Sequence, residues 1–262
     1  MSAWRQTENG IYLPQELAGE WDRVARNRYV AHADMLGMSG LTVRDPKLAW
    51  SAVSEMAIAR RRRIQSLAYT VNGRELKLTE HVAAITFSDT ILLFTKGDDA
   101  DDLRSILIAC SDLFGLLLNR CIPIRIGLAH GLFVFNLDEG IFAGPPLIQA
   151  YRMGEEAQWM GAVLAPAVAE RVRALDPSFL DGSGNDLVLQ WDVPLKSGEN
   201  ASRWVLAWPR SYRNNFRVQP PISVEQFYGG FAQFFGQFEN LEPTHRTKYE
   251  NTVAFVNAML DA

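Results

Sequence analysis

The chain has 262 residues, which suits one large domain or a domain with an appendage, and its 48% hydrophobic content is enough for a full core. With 26 Lys plus Arg against 30 Asp plus Glu, the net charge of −4 argues against nucleic-acid binding through bulk electrostatics. The two cysteines, Cys110 and Cys121, cannot build a disulfide framework, the start Met1–Gln6 lacks a signal peptide's apolar run, and Asp112 interrupts the greasiest window (Ile106–Leu118), so a cytoplasmic protein without membrane contact is expected.

In chain order, residues 1–20 have weak periodicity and read as an extended arm. Tyr29–Leu36 reads as a strand closed by a turn at Gly37-Met38-Ser39-Gly40. Pro46 opens a helix in which Leu48, Ala52, Val53, Met56, Ala59, Ile64 and Leu67 recur at helical spacing. Asn72-Gly73 reads as a turn, and Val82–Phe87 with Thr90–Phe94 as a hairpin. The carboxylates around Asp98–Asp102 favour a helix N-terminus, and Leu103, Ile106, Leu107, Cys110, Leu113, Phe114 and Leu117 form its stripe. Pro123–Ala129 is a strand, with Leu132–Phe135 as hairpin partner after Gly131. A helix over 146–160, a short strand at Ala162–Leu164, a helix over Pro166–Leu175 and a loop at Asp181–Asn185 come next. Strands over 187–191 and 203–208 precede a helical region from Ile222 to Leu260 with a break near Pro243.

The order β-α-β-β-α-β-β-α predicts an α+β fold with a ferredoxin-like βαββαβ core, an antiparallel-rich sheet and helices packed on one face of it. The division is an arm over 1–20, a main domain over 21–210 and a C-terminal helical extension over 211–262. Phe227, Phe231, Phe234, Phe235 and Phe238 in the extension recur as a packing stripe.

Two aspartates stand at strand ends. Asp34 closes the first strand and Asp89 sits at the turn of the hairpin. Converging on one sheet edge, they offer hard oxygen ligands for Mg²⁺ beside a glycine-containing turn whose N–H groups suit phosphates. Taken alone, an Asp at a turn is most often a turn residue.

Asp34-Met35-Leu36-Gly37-Met38-Ser39 resembles the metal-binding turn of the class III nucleotide cyclases, written F-x-D-I-x-G-F-T. Phe87-Ser88-Asp89-Thr90-Ile91 resembles that family's second metal aspartate in its hairpin. Ile124-Arg125-Ile126-Gly127-Leu128-Ala129-His130-Gly131 is similar to its M-R-V-G-I-H-x-G strand, and Gly144–Met153 to its G-x-x-V-N-x-A-x-R-M helix start. The resemblance spans about residues 28–155, with looser similarity to about 208. It implies a site with two Mg²⁺ or Mn²⁺ ions bridging Asp34, Asp89 and the Met35 carbonyl. In it the ribose 3′-hydroxyl attacks the α-phosphate and pyrophosphate leaves. Leu36, Gly37, Met38 and Ser39 would line the triphosphate. Arg125 takes the place of a phosphate-contacting arginine, Arg152 that of the arginine that stabilises the transition state, and Lys196 lies where a further phosphate lysine often stands. It also implies a homodimer with two composite active sites.

Departures concern the base. The purine-reading position four residues before the second metal aspartate is Ile85, and its partner position is Ile141. The ribose asparagine aligns with Ile148, beside Gln149, and His32 replaces the usual Phe two residues before Asp34. A degenerate base pocket on a lone cyclase domain is similar to the pyrimidine cyclases of bacterial Pycsar antiphage systems. That likeness implies UTP as substrate, cyclic UMP as product and a separate cyclic-nucleotide-activated effector. Trp50 would fill the space a purine needs, although a helical Trp is more often plain core. A cytidylate cyclase and a catalytically inactive nucleotide-sensing or dimerisation domain remain alternatives. Arg60–Arg63 reads as a solvated helix face.

Overall fold

The computed structural model describes residues 4–6, 12–14, 23–71, 73–175, 187–212 and 221–260. The expected loop at Asp181–Asn185, most of the N-terminal arm and residues 213–220 lie outside them. Trp4–Gln6 pairs antiparallel with Tyr12–Pro14 within that arm.

The core follows the βαββαβ order. Strand β1 (Arg26–Met35) leads through helices α1 (Met38–Arg44) and α2 (Pro46–Ser66) to the hairpin β2 (Val82–Phe87) and β3 (Thr90–Thr95). Helix α3 (Ala100–Asn119) then returns the chain to β4 (Ile124–Asn136). The later elements are β5 (Ile141–Ala143), α4 (Pro145–Glu156), β6 (Ala162–Leu164), α5 (Pro166–Arg173), β7 (Val188–Pro194) and β8 (Asn200–Leu206). The sheet has eight strands in the order β7-β8-β6-β4-β1-β3-β2, with β5 paired to β4. The neighbours are antiparallel except β4 and β6, which are parallel. The ferredoxin-like α+β expectation therefore describes the centre of the sheet.

The period-2 pattern of β1 sorts the two faces. Tyr29, Ala31, Ala33 and Met35 are buried in the main core with Ala52 and Met56 of α2 and Leu103, Ile106 and Phe114 of α3. Val30 lies on the opposite face with Ala83, Ile85, Leu92, Phe94, Phe133 and Phe135 in a second apolar cluster, and Arg28, His32 and Asp34 share that face.

The structure departs from the sequence expectation at several points. The turn expected over Gly37–Gly40 is instead the two residues Leu36 and Gly37. Gly37 takes φ 79°, and Met38 already begins α1, which buries Met38 and Leu41. The break expected at Gly131 is absent. β4 runs straight through it, opposite Arg28, and turns only after Asn136 to meet β5. A small hairpin, Ala68–Val71 with Arg74–Lys77, forms where only a turn was expected.

The helices do not share one face. α4 crosses β4 on the Asp34 face, because Gly127 and Gly131, four residues apart on that face, give it a track without side chains. A Cβ on Gly127 would stand 1.9 Å from the Ala150 carbonyl oxygen, and one on Gly131 would press on Pro146 at 3.3 Å.

The C-terminal region is helical in pieces, with Val224–Tyr228, Ala232–Phe235, a short 3₁₀ turn at Phe238–Asn240 and the long α6 (Pro243–Leu260). Its aromatic stripe packs inward: Phe231 and Phe234 are buried, and Phe227, Phe235 and Phe238 lean on the same core. α6 drives Phe255 between Trp159 (4.8 Å between ring centroids) and Trp191 (5.1 Å), with Trp208 beyond. Among the described residues no helix is long and apolar enough to cross a membrane.

The contact at Gly127 gives a direct test. Gly127→Ala forces α4 off β4 and is expected to cost about 3 kcal/mol or more in urea denaturation, the upper end for overpacking against rigid backbone. An unchanged midpoint would show that α4 is not seated on Gly127.

Candidate active site

β1, β3 and β4 lie side by side, and register places Phe87, Thr90, Asp34 and Arg125 in one row on the second face. Asp34 ends β1. Asp89 occupies the two-residue turn between β2 and β3, where Ser88 takes the left-handed conformation at φ 53°. The Met35 N–H donates to the Asp89 carbonyl at 2.9 Å, which zips the end of β1 to that turn. The two carboxylates thus belong to one corner of the sheet.

Arg125 crosses from β4 and donates to Asp34 Oδ2 from Nη2 at 2.8 Å and from Nε at 3.1 Å. It also bonds the Glu155 carboxylate and, at 3.3 Å, the Glu155 carbonyl at the C-terminal end of α4. Glu155 in turn receives the Lys196 ammonium from the β7–β8 turn. Burial pushes the Asp34 carboxyl above its ordinary range, Arg125 opposes that and the Asp89 charge adds to it. Burial lowers the His32 imidazole against the pull of Asp34, which favours the neutral ring, and Tyr151 packs edge-on to it at 5.3 Å. For Glu155, burial pushes upward, but the Lys196 hydrogen bond and the charges of Arg125, Lys196 and Lys248 outweigh it and hold the carboxyl below its ordinary range.

Asp34, Met35, Asp89, Arg125 and Lys196 therefore fall in one neighbourhood, and Leu36 and Gly37 continue directly from it. Met38 is buried as the first residue of α1 and Ser39 is exposed. Ile85 shares the Asp34 face, one row further in beside Leu92 and His32, but is only 4% exposed within the second apolar cluster. Arg152, Gln149, Ile148 and Ile141 are exposed on α4 and β5, together with Tyr151. Trp50 does not join this group. It is 74% exposed on α2, whose buried residues Ala49, Ala52 and Met56 face the opposite side of the sheet. It is also not core, because it sits on the solvent side of that stripe.

Two further residues belong to this neighbourhood. Glu155 is the link between Arg125 and Lys196. Lys248, on α6, has its ammonium pushed down to about 8 by burial and by the charges of Arg125 and Lys196, with Glu155 and Asp34 acting the other way. Neither carries a local sequence signal, since both reach the site through long-range packing.

The donor set at the corner, the Asp34 and Asp89 carboxylates with the Met35 carbonyl at the end of the same strand, is hard oxygen chemistry that fits Mg²⁺ or Mn²⁺. A cation there would also relieve the repulsion from Asp89 that raises Asp34. A second acidic group lies elsewhere: His81, Asp99 and Asp102 bring three potential ligand atoms within 4.8 Å of one another. It stands beyond the far end of β3, about 20 Å from Asp89 along a six-residue strand. Its atoms already serve one another. Asp102 bonds His81 Nδ1 at 2.9 Å and the Gly97 N–H at 2.9 Å, and Asp99 caps α3 through the Asp102 N–H at 2.8 Å.

No protein-family model matches the sequence, and no curated protein matches it. Solved structures do match. The adenylyl cyclase CyaB from P. aeruginosa is 12% identical over 70% of this chain and 94% of its own, with a TM-score of 0.46. The catalytic core of a rhodopsin-guanylyl cyclase with converted specificity, in complex with ATPalphaS, is 15% identical over 70% and 96%, with a TM-score of 0.42. A bacterial light-regulated adenylyl cyclase is 11% identical over 70% and 52%, with a TM-score of 0.47. These are likenesses of fold.

The lowered Glu155 carboxyl sets a pH dependence. Its folded pKa lies below the unfolded value of 4.5, so its stabilisation is present above that pH and is lost as pH falls through the folded value. Glu155→Gln is expected to cost about 0.5–1 kcal/mol at pH 7, after solvent screening of a partly exposed group, and less at pH 3, below the unfolded value. Denaturant titrations at the two pH values check it; equal costs would remove the charge from the explanation.

Proposed function

We propose that the protein is a nucleotide cyclase of the class III type that converts UTP to 3′,5′-cyclic UMP and pyrophosphate. The observation that carries this reading is the corner where the Met35–Asp89 hydrogen bond brings Asp34 and Asp89 to one sheet edge beside Arg125. Asp34, Asp89 and the Met35 carbonyl are the groups that would hold Mg²⁺ or Mn²⁺, two ions per site. Such ions supply Lewis acidity toward the 3′-hydroxyl and neutralise the triphosphate.

The remaining tasks fall to side chains. Arg125 and Lys196, held in place by Glu155, supply donors for phosphate oxygens. The Leu36–Gly37 turn, left-handed at the glycine, would line the triphosphate beside them. The ribose 3′-oxygen forms a bond to the α-phosphorus while the bond from that phosphorus to the bridging oxygen of the β-phosphate breaks; pyrophosphate carries away the electron pair and the 3′-hydroxyl proton passes to solvent water. Arg152 projects from the exposed side of α4, next to exposed Ile148 and Tyr151, and is left to serve the site of a second copy. That arrangement supports a homodimer with two composite sites.

The pyrimidine reading rests on Ile85. Isoleucine carries no hydrogen-bonding side-chain group where the resembled purine cyclases place a Lys or Glu, and it packs in the second apolar cluster. Uracil rather than cytosine follows the resembled Pycsar enzymes, and so does a role in antiphage signalling through a separate effector that reads cyclic UMP.

The test is turnover with Mg²⁺ or Mn²⁺ and each of ATP, GTP, CTP and UTP, with products identified by mass. Cyclic UMP from UTP is expected; a purine product would overturn the base assignment. Asp89→Ala is expected to lower kcat by about 10³-fold or more, the scale of losing several kcal/mol of charge stabilisation, while the dimer stays intact in light scattering. Retained activity in that variant would overturn the metal assignment.

A further inference from the structure

We propose that Lys248 is a phosphate-binding residue of this site, meeting the terminal phosphates of a nucleoside triphosphate above the Leu36–Gly37 turn, so that the C-terminal segment completes the site of its own chain. The inference deepens the cyclase reading and rests on it.

A cavity of about 30 Å³ lies between that turn and the C-terminal segment. Leu36 and Gly37 line one side, and Phe235, His245, Lys248 and Tyr249 the other. The Phe235 ring presses on the turn, since a Cβ on Gly37 would stand 3.0 Å from it. Placement of Lys248 is fixed by the fold rather than by a loop. The Asn251 amide donates to the Gln158 carbonyl at 2.8 Å, the Met160 N–H to Thr252 Oγ1 at 2.8 Å and the Gln158 amide to the Thr244 carbonyl at 2.6 Å. Those bonds join α6 to the segment that follows Glu155 and Glu156, and the Phe255 ring locks its far end. Arg44 ties the Phe234–Phe235 backbone to α1.

The charges around Lys248 point to an anion. Glu155 is taken by Arg125 and Lys196, and Asp34 is taken by Arg125. Among the described residues Lys248 forms no ion pair, although it is half-buried and the charges of Arg125 and Lys196 act on it. A desolvated ammonium next to two cations weakens the fold. A methionine of similar length would pack the same stem without that cost. A polyanion bound at the mouth of that cavity would reverse the sign of the interaction, because it would bring negative charge to the place where the charges of Arg125 and Lys196 act on Lys248.

The experiment is calorimetric titration of the full chain and of its Lys248→Met and Lys248→Arg variants with sodium tripolyphosphate and with UTP plus Mg²⁺, with thermal midpoints measured in parallel. Lys248→Met is expected to weaken tripolyphosphate binding about tenfold or more with an equal or higher Tm, and Lys248→Arg to stay within about threefold of the unsubstituted protein. Binding by Lys248→Met at the original affinity would overturn the inference and leave the cyclase reading to the turnover assay. Loss of binding together with a lower Tm, not restored by arginine, would assign Lys248 a structural role and also overturn it. Lys248-dependent tripolyphosphate binding without any cyclic product would keep the phosphate site and remove the cyclase reading. Failure of the unsubstituted chain to bind either ligand would remove both.

Discussion

The Arg125 guanidinium, 6% exposed, joins three pieces of chain that are far apart in sequence: Asp34 at the end of β1, Glu155 at the end of α4 and, through Glu155, Lys196 in the β7–β8 turn. A buried ion pair contributes little net stability, because desolvation offsets most of the attraction. Its effect here is on geometry. With Arg125 in place the Asp34 carboxylate is held toward β4, and the last turn of α4 is held against the sheet edge. Without it, the half-buried Asp34 carboxylate beside Asp89 would lose the cation that hydrogen-bonds it.

The position of α4 is the second requirement, and it comes from two glycines. Gly127 and Gly131 flatten the Asp34 face of β4, so the α4 backbone can approach until Ala150 touches the strand. Glu155 then ends up over Arg125, and Tyr151 against His32. The outer side of the same helix is left with Ile148, Tyr151 and Arg152 exposed, and Phe87 is 79% exposed at the hairpin tip. One helix therefore closes the charged corner from one side and presents an apolar, cationic surface from the other.

How much of this was legible in the sequence depends on the range of the contact. Asp34, Asp89 and Arg125 sit on strands or in a two-residue turn, where the period of 2 and the hairpin register decide which face a side chain takes. Those residues could be placed from spacing and from motif resemblance. The passage of β4 through Gly131 was not legible, because a glycine in a strand reads as a break unless it is known that Pro146 packs on it. Trp50 shows the limit of helical periodicity: one position beyond Ala49 turns it about 100° away from the buried stripe, to the solvent side. Glu155 and Lys248 carry no motif. Their roles come from where α4 ends and where α6 docks, which is settled by glycine packing and by Phe255 among the tryptophans.

The electrostatics and the aromatic core are therefore parts of one arrangement. At the corner several charges are held where their charged form is disfavoured. Asp34 is raised by burial and by Asp89, and Lys248 is lowered by burial and by two cations. A chain selected for stability alone would neutralise both. They stay in position because the elements that carry them are fastened elsewhere. β1 is laddered along its length to β3 and β4. α6 is pinned by Phe255 against Trp159 and Trp191 and by the Thr252 hydroxyl on the Met160 amide. Burying those rings contributes on the order of 2–3 kcal/mol each, enough to offset an unfavourable charge a few residues away. The aromatic stripe of the C-terminal segment is thus the support that lets an unpaired cation stand beside the Gly37 turn, and the strain of the site and the packing of its distal helix depend on each other.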